Sequence, residues 1–369
     1  MTRLRLSVAT VLTALVGLAF FAPAILPDFP GATAAHVAPA PQTRPETTPS
    51  ASAAPDVVTP AAAVRPTFNP TRLDRVVSVW ADAHNQRNVT LAVLREGEVI
   101  AALGVGMGRS VNPQPVASLS KAITAMCLNE VLLRHDLKWT ATLRDLRRPF
   151  ERFGIRPATP ILDVTLAQIA THTAGLSPDL TQARMSSAQW PGRGTHINFA
   201  AMALRSDAAQ GARGDFFYSN TNYAVLGTVI EVLENRPYGE VCDAAVLAPA
   251  GVETARLGGR VGSLSSFAGW EISAPDYARF FDHWYGTDTP WMLHPEAFPH
   301  SANGYGLGVF TTRTGDVTHD GMLCSNAPRQ NFGATVRRLA DGTVYVATWQ
   351  GCLDQRAYRM LDSAIQAVL

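Results

Sequence analysis

The chain has 369 residues, 47% of them hydrophobic, with 31 basic against 30 acidic side chains and a formal charge of +1. That length holds one large domain or two intimate ones, and the apolar content is enough for a sizeable core. A balance so near neutrality gives no sign of a nucleic acid or other polyanion as partner, and none is expected.

Arg3 and Arg5 precede an uncharged, mostly apolar run from Leu6 to Pro27, and small residues follow at Ala32-Thr33-Ala34-Ala35. This is the pattern of a secretory signal cleaved near Ala34, so residues 1–35 read as a signal peptide. An uncleaved membrane anchor is the alternative, because the run is nearly long enough to span a bilayer. Pro23 and Pro27 interrupt it early, which favours cleavage. A lipoprotein is disfavoured, since no cysteine precedes Cys127. Residues 36–66, rich in Pro, Ala and Thr without apolar periodicity, read as a disordered linker, and folded protein is expected over 67–369.

Leu73, Val76, Val77 and Trp80 share one face of a predicted helix over 73–84. Two strands, 89–94 and 99–103, flank a Glu96-Gly97 hairpin turn. From Ser118 to about Leu247 the spacing is mainly helical. Strands return at 306–310, 317–319, 333–337 and 344–349, and a closing helix carries Leu353, Ala357, Leu361, Ile365 and Val368 on one face. Strands at both ends with helices between them imply an α+β fold, one antiparallel sheet completed by both ends of the chain and a helical insertion over about 119–255.

Of the 31 basic residues only Lys121 and Lys138 are lysines, and Lys121 stands three positions after Ser118. Apolar residues at Leu119, Ile123 and Met126 give helical spacing, so the Ser118 hydroxyl and the Lys121 amine can meet on one face. Pro115 suits a helix entry and places Ser118 in the first turn, where the positive dipole end favours a developing anion. A desolvated, neutral Lys121 could take the Ser118 proton. A capping serine followed by a surface lysine is the plainer alternative.

Two more motifs follow, Tyr218-Ser219-Asn220 and His319-Asp320-Gly321. With Ser118-x-x-Lys121, in this order, they resemble the penicillin-recognising serine hydrolases, namely class C β-lactamases, D-alanyl-D-alanine carboxypeptidases and related esterases. The flanking His172-Thr173-Ala174-Gly175-Leu176 and Tyr305-Gly306-Leu307-Gly308 are similar to segments of that family, and the resemblance covers about Phe68 to Leu369.

The resemblance implies a β-lactamase-like fold and a set of roles. Ser118 would form an acyl-enzyme, with Lys121 and Tyr218 sharing its proton. The backbone amides of Ser118 and Met322 would form the oxyanion hole, Asn220 and His319 would bind substrate, and Gly321 would leave the strand edge bare for it. His172 would shape a turn. The family position of His319 is often lysine, and a partly charged histidine there predicts activity that titrates near the His319 pKa. Asp320 departs from the usual threonine, and an acid facing the pocket would repel a substrate carboxylate. The turn Leu323-Cys324-Ser325-Asn326 departs from the usual small residues as well.

Four cysteines complete the inventory. If the last strands form a meander, Cys324 and Cys352 lie at one sheet end and can form a disulfide; two buried free thiols are the alternative. Cys127 reads as core. Trp349 is expected near the cleft, and Trp190 and Trp291 stand in loops that could edge it. No metal spacing is present, and no metal or cofactor is expected.

The expected protein is an exported serine acyl hydrolase, periplasmic or extracellular, with a membrane tether through the N-terminal segment as the alternative to release, acting on D-alanyl peptides or β-lactam-type amides. The alternatives are a carboxylesterase of the same family and a non-catalytic, penicillin-binding-like envelope module.

Overall fold

The computed structural model describes residues 68–186, 195–205, 211–258, 261–286 and 304–369. The proposed signal and linker, Trp190 and Trp291 lie outside the described residues. Helix α1 (Pro70–Ala83) begins where the Asn69 side chain accepts from the Thr71 and Arg72 amides at 3.0 and 3.2 Å, with Pro70 as its first residue. Strands β1 (Asn88–Arg95) and β2 (Glu98–Gly106) meet at Glu96 and Gly97, both at positive φ (54° and 80°), as a two-residue hairpin turn requires.

The helical segment opens with a two-residue strand, β3 (Gln114–Pro115), and α2 (Ser120–Arg134), followed by α3 (Arg147–Arg152), α4 (Leu166–Ala170) and α5 (Gln182–Ser186). It continues through α6 (Thr195–Ala203), α7 (Asn220–Glu234), α8 (Tyr238–Cys242), α9 (Ser265–Ala268), the short β4 (Glu271–Ile272) and α10 (Ala274–Tyr285). The chain then returns as β5 (Tyr305–Gly306), β6 (Val309–Thr311), β7 (Val317–Leu323), β8 (Phe332–Arg338), β9 (Val344–Gln350) and α11 (Gln355–Gln366).

The main sheet runs β2-β1-β9-β8-β7-β6-β5 with every pair antiparallel, so β1 from the N-terminal end closes onto β9 from the C-terminal end. Alternation along the strands separates two cores. Leu91, Val93, Tyr345 and Ala347 pack under α1 and α11, whereas Ala92, Leu94, Val344 and Val346 face the larger helical core. Helix α2 is buried from Ser120 to Leu132 on nearly every side, which marks the centre of that core rather than a surface helix. No helix among the described residues is long and apolar enough to cross a membrane.

Three sequence expectations change. The strand expected over 306–310 is instead the hairpin β5–β6, because Leu307 and Gly308 both take positive φ (47° and 83°). Gly308 is required there, since a Cβ would lie 2.6 Å from the Lys121 carbonyl oxygen. Trp349 is not at a cleft; it lies over Gly333 on the α1 side, its ring centroid 6.1 Å from that of Trp80. Cys127 is not simply a core residue but is disulfide-bonded to Cys242, tying α2 to α8, while Cys324 is bonded to Cys352.

The Cys127–Cys242 bond closes a 115-residue separation and the Cys324–Cys352 bond one of 28. Loop-closure entropy makes the longer link the stronger stabiliser, by about 1 kcal/mol. We expect the double variant Cys127→Ala/Cys242→Ala to lose on the order of 3–5 kcal/mol in urea unfolding. Equal or smaller loss than from Cys324→Ala/Cys352→Ala would contradict this.

Candidate active site

Ser118 sits in a single 3-10 turn, Ala117–Leu119, that leads into α2. Pro115 does not start the helix: it lies in β3, paired with Glu271 of β4, and Ala117 enters the turn at φ 47°. The turn is clamped from the sheet side. A Cβ on Gly321 would lie 2.7 Å from the Ser118 amide nitrogen and 3.0 Å from the Val116 carbonyl oxygen, so only glycine lets β7 approach this closely. Beyond Thr318 the edge of β7 has no described pairing to β6, which leaves His319 to Leu323 open beside Ser118.

Lys121 is fully buried as the second residue of α2. Its Nζ lies 2.9 Å from Ser118 Oγ, 2.7 Å from Asn220 Oδ1 and 2.9 Å from the Phe267 carbonyl oxygen. Burial pulls its pKa from 10.5 down to about 7, against the opposing pull of the Asp179 charge. Two of the three neighbours can only accept. A neutral Lys121 therefore gives its two N–H groups to Asn220 and Phe267, and its lone pair faces the Ser118 hydroxyl.

Tyr218 precedes the Ser219 cap of α7 and is partly buried. Its ring centroid is 5.1 Å from Lys121 Nζ, and its hydroxyl is 3.2 Å from His319 Nε2. Burial raises the phenol above its usual pKa, with a Ser118 hydrogen bond acting the other way. Tyr218 is therefore a neutral phenol at neutral pH, not the phenolate that proton sharing with Lys121 would need.

His319 is buried on β7, and its Nδ1 donates to the Gly308 carbonyl. That tautomer leaves Nε2 to accept from Tyr218. Burial, then the nearby Lys121 charge, lowers its pKa to about 3, opposed by the bond to Gly308. The imidazole is neutral near pH 7, contrary to the partly charged ring expected from sequence. Asp320, on the opposite face of the strand, accepts from Thr335 Oγ1 at 2.6 Å, so it does not confront a substrate anion across the cleft. Met322 shares that face, with its side chain against the α1 core.

Asn220 is the first residue of α7 rather than part of an extended turn. It is only 5% exposed, and its Nδ2 donates to Thr181 Oγ1 at 3.1 Å while its Oδ1 serves Lys121. The amide expected to reach a substrate is thus already committed inside the protein. His172 does shape a turn: at φ 60°, its Nδ1 accepts from Asn222 Nδ2 at 2.8 Å and from the Ser219 amide at 3.3 Å. Its ring lies 4.4 Å from that of Tyr218, and burial, reinforced by Lys121, drives its pKa well down.

Sequence reasoning missed the Phe267 carbonyl, a backbone atom with no signature in residue type. It also missed Asp179 and Thr181, although an Asp two residues before a Thr in a loop is a recognisable local hydrogen-bonding pattern.

The Ser118 hydroxyl, the Lys121 amine and the Tyr218 ring thus gather at the start of α2. The β-lactamase family profile matches residues 73–350. The chain belongs to the β-lactamase family. Members of this family are generally serine hydrolases working by acyl transfer, and some are non-catalytic. Penicillin-binding protein 4 of Amycolatopsis lactamdurans is 25% identical over 178 residues, which is 46% of this chain and 44% of that protein. The matched segment thus spans less than half the length of that relative. An octameric penicillin-binding protein homologue from Pyrococcus abyssi superposes with TM-score 0.65 at 16% identity, over 81% of this chain and 77% of that one. The D-amino acid amidase of Ochrobactrum anthropi SV3 superposes with TM-score 0.62 at 15% identity, over 80% of this chain and 99% of that one. Both structures show a shared fold.

The Gly321 contact yields a prediction. Gly321→Ala should keep the circular dichroism of the native protein yet lower the rate of Ser118 labelling by a fluorophosphonate on the order of a hundredfold, by displacing the nucleophile turn. Labelling at the native rate would show that the turn is not clamped by β7.

Proposed function

We propose that this protein is an exported serine acyl hydrolase that works through an acyl-enzyme on Ser118. The observation that carries the reading is the fully buried Lys121, its pKa drawn down to about 7 by burial, with its Nζ 2.9 Å from Ser118 Oγ. Neutral Lys121 takes the Ser118 proton as Oγ bonds to the substrate carbonyl carbon. The carbonyl oxygen becomes an oxyanion, met by the backbone amides of Ser118 and Met322 at the helix tip and the open β7 edge. As the bond to the leaving group breaks, that group departs with the proton held at Lys121, relayed by the Tyr218 hydroxyl. Water then repeats the sequence on the ester, Lys121 taking its proton, and releases the acid. His319, through its neutral Nε2, orients Tyr218. Asn220 positions Lys121, and Gly321 keeps the substrate strand edge open.

The substrates we assign first are D-alanyl peptides and β-lactam-type amides, the class suggested by likeness to a penicillin-binding protein and to an amidase. A carboxylesterase activity is favoured by one specific observation. His319 is neutral where a lysine would offer a full positive charge, so the site suits acyl groups and leaving groups without a free carboxylate. Turnover of a chromogenic β-lactam and a D-Ala-D-Ala peptide, against that of a p-nitrophenyl ester, separates the two. Two disulfides fit an oxidising compartment and hence export.

A fluorophosphonate should give one covalent adduct, located on Ser118 by mass spectrometry and absent from Ser118→Ala. Because the base is active only when deprotonated, its rate should rise with pH through about 7 and level off above it. An adduct elsewhere, or a rate without that rise, would refute the assignment.

A further inference from the structure

The orientation of the Asn220 amide decides where the Lys121 lone pair points, and that orientation is not set by Asn220 itself. With Oδ1 toward Lys121, both N–H groups of the neutral amine have acceptors and the lone pair faces Ser118. With the amide turned over, Nδ2 would face Lys121 and claim the lone pair, and Ser118 would lose its base.

What holds the amide is a chain of hydrogen bonds with one consistent set of directions. The Asp179 carboxylate accepts from the Thr181 hydroxyl at 2.8 Å and the Thr181 amide at 3.0 Å. It also accepts from the Thr221 hydroxyl and the Asn220 backbone N–H, each at 3.1 Å, and from Gln182 Nε2 at 2.8 Å. Thr181 has a single hydroxyl proton. Met185 Sδ, at 3.3 Å, is the weaker acceptor for it, and the carboxylate is the stronger. Thr181 Oγ1 can therefore only accept from Asn220, which must present Nδ2 to it and Oδ1 to Lys121.

We propose that Asp179, acting through Thr181 and Asn220, fixes the hydrogens of Lys121 so that its lone pair meets Ser118, which makes Asp179 and Thr181 positioning residues of the acyl-transfer step. This rests on the reading of Lys121 as base. Thr181 is fully buried, and Asp179 ties the loop before α5 to the first residue of α7, so the relay is part of the fold at this point. The other groups near Lys121 are the Tyr218 and Tyr223 rings, with centroids at 5.1 and 5.9 Å, and the buried imidazoles of His172 and His319. Asp179 is the negative charge among them, and it favours the ammonium form.

The test is the pH profile of fluorophosphonate labelling in full-length wild type, Asp179→Asn, Thr181→Val and Thr181→Ser. In Asp179→Asn the lost charge should move the rising limb to lower pH, and the high-pH plateau should drop on the order of tenfold to a hundredfold as the amide is released. Thr181→Val should lose a similar factor in plateau with the limb near its native position, and Thr181→Ser should restore it. A purely structural role would lower rates without moving the Asp179→Asn limb. A limb unmoved in that variant, or Thr181→Ser as slow as Thr181→Val, overturns the relay. Wild type lacking a limb near pH 7, or Ser118→Ala still labelled, would instead defeat the assignment of the base itself.

Discussion

The site depends on one lysine kept out of water. An ammonium at Lys121 would need solvent or a paired anion, and the fold gives it neither at contact distance; it gives two neutral oxygens and a hydroxyl. Burial brings deprotonation down to about pH 7, and the deprotonated amine is a base. The same burial keeps Tyr218 a phenol and His319 an uncharged imidazole, so the cleft is built from neutral groups whose hydrogen bonds have defined directions.

Several backbone features exist to maintain that dry contact. Gly308 lets the β5–β6 turn lie on the Lys121 carbonyl, and Gly321 lets β7 lie on the Ser118 amide. Ser265, at φ 47°, opens α9 and brings the Phe267 carbonyl to Lys121. From the other side, α7 supplies Asn220 at its first position, held by the Ser219 cap and the Asp179 carboxylate. Helix α2 can be buried so completely because the Cys127–Cys242 bond and the apolar core enclose its far side.

Much of this was legible in the sequence where the signal was local. Three-residue spacing on a helical pattern places Ser118 beside Lys121, alternation and turn chemistry locate β1, β2, β8 and β9, and a meander brings Cys324 to Cys352. What escaped was set by contacts distant in the chain. Cys127 and Cys242 are 115 residues apart, and nothing in their spacing pairs them. Leu307 bends at positive φ because Gly308 must meet α2, a demand that appears only once the helix is in place. Pro115 resembles a helix entry, yet Ala117 takes that role at φ 47°. Trp349 alternates onto the α1 face, and Asp320 onto the face that also carries Met322; a register to β8 had to be known before either side could be assigned.

The chain's composition permits a direct measurement of the central claim, because it contains only two lysines, Lys121 and Lys138. Protein labelled with 13Cε-lysine gives two signals, and a Lys138→Arg variant identifies which one is Lys121. Its chemical shift followed against pH reports the amine's protonation in the folded protein. The account predicts a transition near pH 7. A transition near the ordinary value of 10.5 would mean that Lys121 is an ammonium throughout the working range and cannot be the base for Ser118.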